Sequence, residues 1–314
     1  MGSPCATRPE SGPVKPSSPL TALALGLDAG GTHTRWAAAL ADGSLCAHGQ
    51  AAGLSALQLA SDEGRAAMTQ TLLAVAAVAG QVRVVTAGIT GFDAAQLPQL
   101  CALMAGVFGV APGDVQVMSD IELACRAAGD GCVIYAGTGS VGAFIDAAGV
   151  LQRAGGRGVV IDDAGGGHWI ARQALCRIWR AEDEAPGAWA ASPLARRLFE
   201  RIGGADWALT RQWVYGASRG ELGTLALAVA EAADQDPVAL ALLLQAGQEL
   251  ARLARVLWQR GGPRTLVLDG RVFDLHPAVE AGLRQALPAG TPMCRPAQPA
   301  QTAAARLAAS RIPA

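Results

Sequence analysis

Apolar and polar positions alternate in short runs over the first part of the chain, then change to a helical period. Leu23 to Asp28 is an apolar strand that ends on a carboxylate and turns through Gly30 and Gly31. Trp36 to Leu40 continues as a second strand, and the turn Ala41-Asp-Gly-Ser44 leads into a third, giving an antiparallel meander. Ser61-Asp-Glu63 reads as a helix N-terminus; Met68, Leu72, Leu73 and Val75 follow at helical spacing and Gly80 closes the element. Val82 to Val85 is a short buried strand before Thr86-Ala-Gly-Ile-Thr-Gly91, residues 94–108 return to helical period, and Val115 to Met118 is a strand that stops at Ser119-Asp120. The order is β-β-β-α-β-α-β, with a short helix over 121–128 after it.

The second half begins with the same design. Cys132 to Ala136 is an apolar strand, Gly137-Thr-Gly-Ser140 a glycine turn, and Val141 to Asp146 a second strand closed by Ala147-Ala-Gly149. A strand–glycine turn–strand unit built once in each half predicts two related domains facing one another across a cleft. From His168 to Arg260 the period is helical: Trp169, Ile170, Ala174, Leu175 and Ile178 share a face, and Asp236-Pro237 supplies an N-cap with Pro at N1. A strand over 265–268 ending at Asp269-Gly-Arg271, a helix over 277–286, a strand over 291–295 and a helix over 300–309 complete the chain.

Composition narrows the classes. With 314 residues there is room for two cores, and 51% hydrophobic but only 4% aromatic content means they are built from Ala, Leu and Val. Lys+Arg 25 against Asp+Glu 26 leaves no basic field, so nucleic acid is not an expected partner. No apolar run approaches the roughly 20 residues needed to cross a bilayer, so no membrane association is expected. Seven cysteines without a C-x-x-C pair read as reduced cytosolic thiols, several in apolar segments, with Cys176 on an apolar helix face; the expected location is cytoplasmic. The Pro/Ser/Gly-rich residues 1–20 read as a disordered leader.

The candidate chemistry lies at the glycine turns. Gly30 and Gly31 allow backbone N–H groups to converge on an anion, with the hydroxyls of Thr32 and Thr34 as further donors. Asp28 beside such an anion would hold Mg²⁺, since a bare carboxylate would be repelled. An ordinary hairpin turn uses the same residues, so both readings stand. Asp120 is equally double: locally it reads as a helix N-cap, yet a carboxylate at the C-terminal end of a strand also lies where α/β sheets bind ligands. Gly137-Thr-Gly-Ser-Val-Gly142 matches G-x-G-x-x-G but opens a strand, not the helix a dinucleotide fold requires. The glycine-dense segment 155–167, with Arg157, Asp162 and Asp163, reads as a binding loop in preference to a linker.

Together these motifs resemble the acetate kinase, sugar kinase, Hsp70 and actin superfamily, and within it the BadF/BadG/BcrA/BcrD ATPase-like branch containing N-acetylglucosamine and glucosamine kinases. Asp28-Ala-Gly-Gly-Thr32, Ser119-Asp120, Ala136-Gly-Thr-Gly-Ser140 and Gly155-Gly-Arg-Gly…Asp163-Ala-Gly carry the resemblance. It implies an α/β two-domain actin-like ATPase (ribonuclease H-like) fold with an interdomain ATP cleft. The domains would be 21–119 with a returning helix 297–311, and 120–296. It also implies ATP held by Gly30, Gly31 and Thr32 on one side and Gly137, Thr138 and Gly139 on the other, with Gly270 bordering adenosine and Asp28 positioning Mg²⁺. Asp120 would be the general base, and Thr90, Gly91, Asp120, Gly156, Arg157 and Asp163 would line a small-molecule sugar site, in a homodimer.

Departures from the family pattern bear on the substrate. Ala56-Leu57 follows Gly53-Leu-Ser where N-acetylglucosamine kinases carry an Asn, Arg157 stands for their Trp and Ala164 for their Glu, and Arg271 replaces the usual small residue. Glucosamine kinases of the branch share the Arg and lack the Glu, which tilts the expectation toward an unacetylated amino sugar. An iron–sulfur ATPase that activates a dehydratase and a catalytically weak sugar sensor are the alternatives.

Overall fold

The computed structural model describes residues 23–313; the expected leader lies outside them. A first sheet is built from β1 (Leu23–Ala29), β2 (His33–Ala39) and β3 (Leu45–Ala52). After α1 (Asp62–Ala79), β4 (Val82–Ile89), α2 (Leu97–Phe108) and β5 (Val115–Ser119) complete it, in the order β3-β2-β1-β4-β5. The meander is antiparallel, and β4 and β5 join parallel to β1.

Next comes α3 (Asp120–Ala128), then β6 (Cys132–Ala136), β7 (Ser140–Ile145) and β8 (Leu151–Gly155). A run of helices follows: α4 (Gly167–Glu184), α5 (Pro193–Ile202), α6 (Trp207–Gly216), α7 (Arg219–Thr224), α8 (Ala226–Ala232) and α9 (Pro237–Gly261). β9 (Leu266–Asp269), α10 (Pro277–Gln285), β10 (Met293–Cys294) and α11 (Ala300–Ala309) close the chain. The second sheet has the order β10-β9-β6-β7-β8, so both sheets share one topology with the same parallel and antiparallel pairings.

What lies between the sheets positions the site. On the outer faces, Leu25, Leu27, Met68, Leu72, Leu100 and Met104 form one core, and Ile134, Phe144, Leu250, Leu253 and Leu257 belong to the other. The inner layer is made of small residues. Ala24, Ala37, Ala39 and Val84 of the first sheet pack on Ala305, Ala308 and Ala309 of α11. A Cβ at Gly26 would run into the backbone of Ala305 and Gln301, so α11 lies directly on the strand. α3 shares this layer: Leu123 packs on Met118 and Ala304, while Ile121 and Cys125 pack on Val133, Ala143 and Val267 of the second sheet. One short helix therefore touches both sheets.

Several elements differ from the sequence reading. β4 runs on to Ile89, because Thr86, Ala87 and Gly88 are small enough to continue the strand beneath α3. β8 was not expected from its weak alternation; it forms by pairing with β7. The strand over 291–295 shrinks to Met293–Cys294, at the sheet edge. Cys176 is exposed, not apolar-facing; the buried thiols are Cys125 and Cys132, each pushed up to about 12 by burial and therefore unreactive.

Candidate active site

The site begins with a glycine that brings two carboxylates together. Asp28 near the end of β1 is in register with Gly88 of β4. A Cβ at Gly88 would lie 2.8 Å from Leu123 Cβ and 3.3 Å from the Asp120 Cα, so the first turn of α3 rests on the strand beside Asp28. The N-cap of α3 is Ser119, whose hydroxyl accepts the Glu122 N–H at 3.2 Å. The local reading of Asp120 as the cap is thus corrected: Ser119 has the extended backbone a cap needs, and Asp120 is the first helical residue, accepting the Ile121 N–H at 2.8 Å.

The second sheet contributes by strand alternation. Val133 and Tyr135 share a face of β6, as do Val267 and Asp269 on β9. Since Val133 and Val267 pack on α3, Tyr135 and Asp269 face the same layer, at the end where Asp120 begins; they are register partners across the two strands. Burial raises the Asp28 carboxyl to about 6, against the pull of Arg35 (Nη1 to Oδ2 3.7 Å), and the charges of Asp120 and Asp269 push it up further. Asp269 is raised chiefly by burial, opposed by its hydrogen bond from the Gly270 N–H at 2.7 Å and by Arg295 and Arg35. The Tyr135 phenol is pushed up to about 12, first by burial and then by Asp269, Asp120 and Asp28. Among the described residues no three His, Cys, Asp or Glu side chains are grouped to cage a metal. A lone Asp28 suits Mg²⁺, which keeps several waters and takes few protein ligands.

The glycine turns hold unused donors. Gly167 and His168, at the start of α4, donate their N–H groups to the carbonyls of Gly137 and Thr138 at 2.8 and 3.0 Å. In a trans peptide the N–H points opposite to its carbonyl, so the Thr138 and Gly139 amides point away from α4. Among the described residues neither has a protein acceptor, and the same is true of the Gly31 and Thr32 amides in the first turn, where the Gly30 carbonyl is taken by the Leu54 N–H at 3.0 Å. Four free amides on two glycine turns are a fit for a polyphosphate. Thr34 is a correction: its hydroxyl is fully buried without a partner and is not a cleft donor, because alternation along β2 turns it inward, whereas Thr32 is exposed.

The remaining residues fall around these turns. Thr90 donates to the Ala29 carbonyl at 2.9 Å, which places Thr90 and Gly91 beside the first turn; a Cβ at Gly91 would touch Ser55 Oγ and Leu57 Cγ, both at 3.0 Å. Gly270 has φ 97° and packs on the Ala136 backbone, at the second turn. Gly156 donates to the Ser140 carbonyl at 3.0 Å. The Asp163 carboxylate is buried, accepts the Gly158 N–H at 3.1 Å and abuts Gly139, so it ties the 155–167 loop to the turn. Asp162 pairs with Arg252 at 3.4 Å. Arg157 is an exposed residue of this loop, as are Val160 and Ile161.

Two residues of the cluster, Asp269 and Tyr135, were missed by sequence reasoning as site residues. Both carry a usable signal: Asp269 is a carboxylate at a strand end before a glycine, and Tyr135 holds in the second repeat the place that Asp28 holds in the first.

Comparison with known proteins follows the same outline. The profile of the BadF/BadG/BcrA/BcrD ATPase family matches residues 25–289. No curated protein matches the sequence. Among solved structures, the fold resembles a "putative N-acetylglucosamine kinase" from Chromobacterium violaceum, 26% identical with a TM-score of 0.74, covering 93% of this chain and 100% of the other. A protein of the same name from Porphyromonas gingivalis is 18% identical with a TM-score of 0.72, over 92% and 100% of the two chains. The ROK family glucokinase of Streptomyces griseus, solved with glucose and AMPPNP, is 17% identical with a TM-score of 0.61, over 91% and 98%. The fold is thus the two-domain actin-like ATPase fold of sugar kinases.

Proposed function

The chain belongs to the BadF/BadG/BcrA/BcrD ATPase family, and we propose that within it this protein is an ATP-dependent amino-sugar kinase that phosphorylates the 6-hydroxyl of glucosamine or N-acetylglucosamine. The observation that supports this most is the convergence of Asp28, Asp120 and Asp269 between two glycine turns with unused amides. Phosphoryl transfer asks for charge neutralisation, in-line positioning and a base for the nucleophile. We read residues 21–119 with helix 297–311 as one domain and 120–296 as the other.

ATP supplies the phosphoryl group and Mg²⁺ the charge that offsets it. Gly30, Gly31 and Thr32 line one side of the polyphosphate and Gly137, Thr138 and Gly139 the other, with Gly270 at the adenosine end. Asp28 holds the cation, directly or through water. Asp120, freed from capping by Ser119, orients the sugar hydroxyl and takes its proton. Thr90, Gly91, Gly156, Arg157 and Asp163 bound the sugar, Asp163 also fixing the loop. Leu57, 64% exposed over Gly91, offers no hydroxyl acceptor, and Arg157 and Ala164 tilt the preference toward the unacetylated sugar.

A coupled ADP-release assay with glucosamine, N-acetylglucosamine, glucose and water as acceptors tests the reading. Sugar-dependent ADP release, strongest with glucosamine, is expected. Release that is equal with water alone, or absent with every sugar, would reject it.

A further inference from the structure

Tyr135 is the large side chain in the cleft that the proposed chemistry does not use. Every other residue of β6 is buried, but Tyr135 is 40% exposed at the strand's end. Its ring lies along the second glycine turn: a Cβ at Gly137 would be 2.9 Å from the Tyr135 Oη and 3.1 Å from its Cε1. The hydroxyl therefore stands beside the turn whose Thr138 and Gly139 amides are free. Among the described residues it has no hydrogen-bond partner, although Asp269 is its register partner and Asp120 and Asp28 act on it electrostatically.

The two repeats clarify what such a group is for. Asp28-Ala-Gly30 ends β1 and Tyr135-Ala-Gly137 ends β6, strands that hold the same place in sheets of the same topology. One repeat thus brings a carboxylate to the turn and the other a neutral phenol. A further carboxylate would repel a phosphate, whereas a protonated phenol donates to a phosphate oxygen without needing a cation between them. The neighbours fix which phosphate. Asp120, in the role given it above, must face the phosphoryl group that is transferred, and its neighbour Ile121 packs on Val133, which sets the first turn of α3 against the face of β6 that Val133 shares with Tyr135.

We propose that the Tyr135 hydroxyl donates a hydrogen bond to the terminal phosphate of bound ATP, so that it distinguishes ATP from ADP and steadies the group being transferred. The inference rests on the ATP-cleft reading of the preceding section. The competing structural role, a ring that merely covers Gly137, needs the ring and not its hydroxyl, which makes Tyr135→Phe decisive.

Calorimetric titration of the wild type, Tyr135→Phe and Tyr135→Ala with a nonhydrolysable ATP analogue and with ADP, each with Mg²⁺, reads the contact without turnover. For Tyr135→Phe the analogue is expected to bind about tenfold more weakly, the loss of one hydrogen bond to a charged group, with ADP affinity and melting temperature unchanged. In the sugar-dependent assay kcat falls while the sugar KM holds. If Tyr135→Phe binds both nucleotides as the wild type does and only Tyr135→Ala differs, the ring is a cover and the proposal is overturned. An equal loss for ADP and the analogue overturns the assignment to the terminal phosphate, and a wild type that binds neither nucleotide overturns it together with the ATP cleft. Discrimination lost in Tyr135→Phe, in a protein that phosphorylates no sugar, upholds the contact and rejects only the sugar-kinase reading.

Discussion

The carboxylate of Asp163 occupies the space that a side chain at Gly139 would need: a Cβ there would fall on its Oδ2 and lie 2.9 Å from its Cγ. Asp163 is itself held at φ 54°, the one positive-φ residue other than glycine among those described. Gly139→Ala must therefore push the carboxylate off the Gly158 N–H. The expected cost is about 1–3 kcal/mol, with weaker nucleotide binding. In an Asp163→Ala background the same change should cost at least about 0.5 kcal/mol less, because the clash is gone. Denaturant melts of the four proteins measure this coupling, and strict additivity would refute the contact.

Capping and catalysis are separable at the start of α3. Asp120→Asn should lower kcat by about 10²–10⁴ while nucleotide binding and melting temperature stay near those of the wild type, since the cap belongs to Ser119. Ser119→Ala should do the reverse, costing about 1 kcal/mol of stability with a smaller effect on turnover. Single-turnover rates beside thermal melts distinguish the two, and near-normal turnover in Asp120→Asn would remove it as the base.

The repeated strand–glycine turn–strand unit was legible because glycine, alternation and strand ends are local signals. That is why β1, β6 and the last helix fall where the pattern puts them. The rest depended on packing. Nothing within Ser119-Asp120 says which residue caps, because both types cap well; the contact of Asp120 and Leu123 with Gly88 comes from the sheet beneath the helix. β8 reads as loop because its partner makes it a strand. Tyr135 and Asp269 meet only because β6 and β9, far apart along the chain, pair in parallel with these two residues in register.

The seat of α11 should tolerate no side chain at Gly26. A Cβ there meets the Ala305 N and Gln301 O, which are backbone atoms and cannot turn aside as a rotamer can. Gly26→Ala should cost at least about 3 kcal/mol, at the upper end for overpacking, and loosen the first sheet before the second. Hydrogen exchange would show it as lost protection in β1 and α11, with α9 and β9 keeping theirs. Uniform loss through both sheets would mean that α11 is not bound to the first sheet alone.

The Asp28 carboxyl gives the site its pH dependence. Its value of about 6 in the folded chain lies above the ordinary 3.8, so ionising it costs the fold stability as pH rises from the lower value through the higher. Asp28→Asn removes that cost. Without nucleotide the variant should be more stable than the wild type at pH 7, by up to about 3 kcal/mol for a shift of roughly two units, and no more stable at pH 4. The same protonation opposes cation binding: below about pH 6 a neutral carboxyl no longer holds Mg²⁺. kcat/KM for MgATP should then fall toward tenfold per pH unit, while kcat, reporting a complex in which the cation keeps Asp28 ionised, should hold to lower pH. Melts and pH–rate profiles of both proteins decide it. A wild-type kcat/KM that is flat from pH 5 to 7 would show that Asp28 is not the carboxylate that meets the cation.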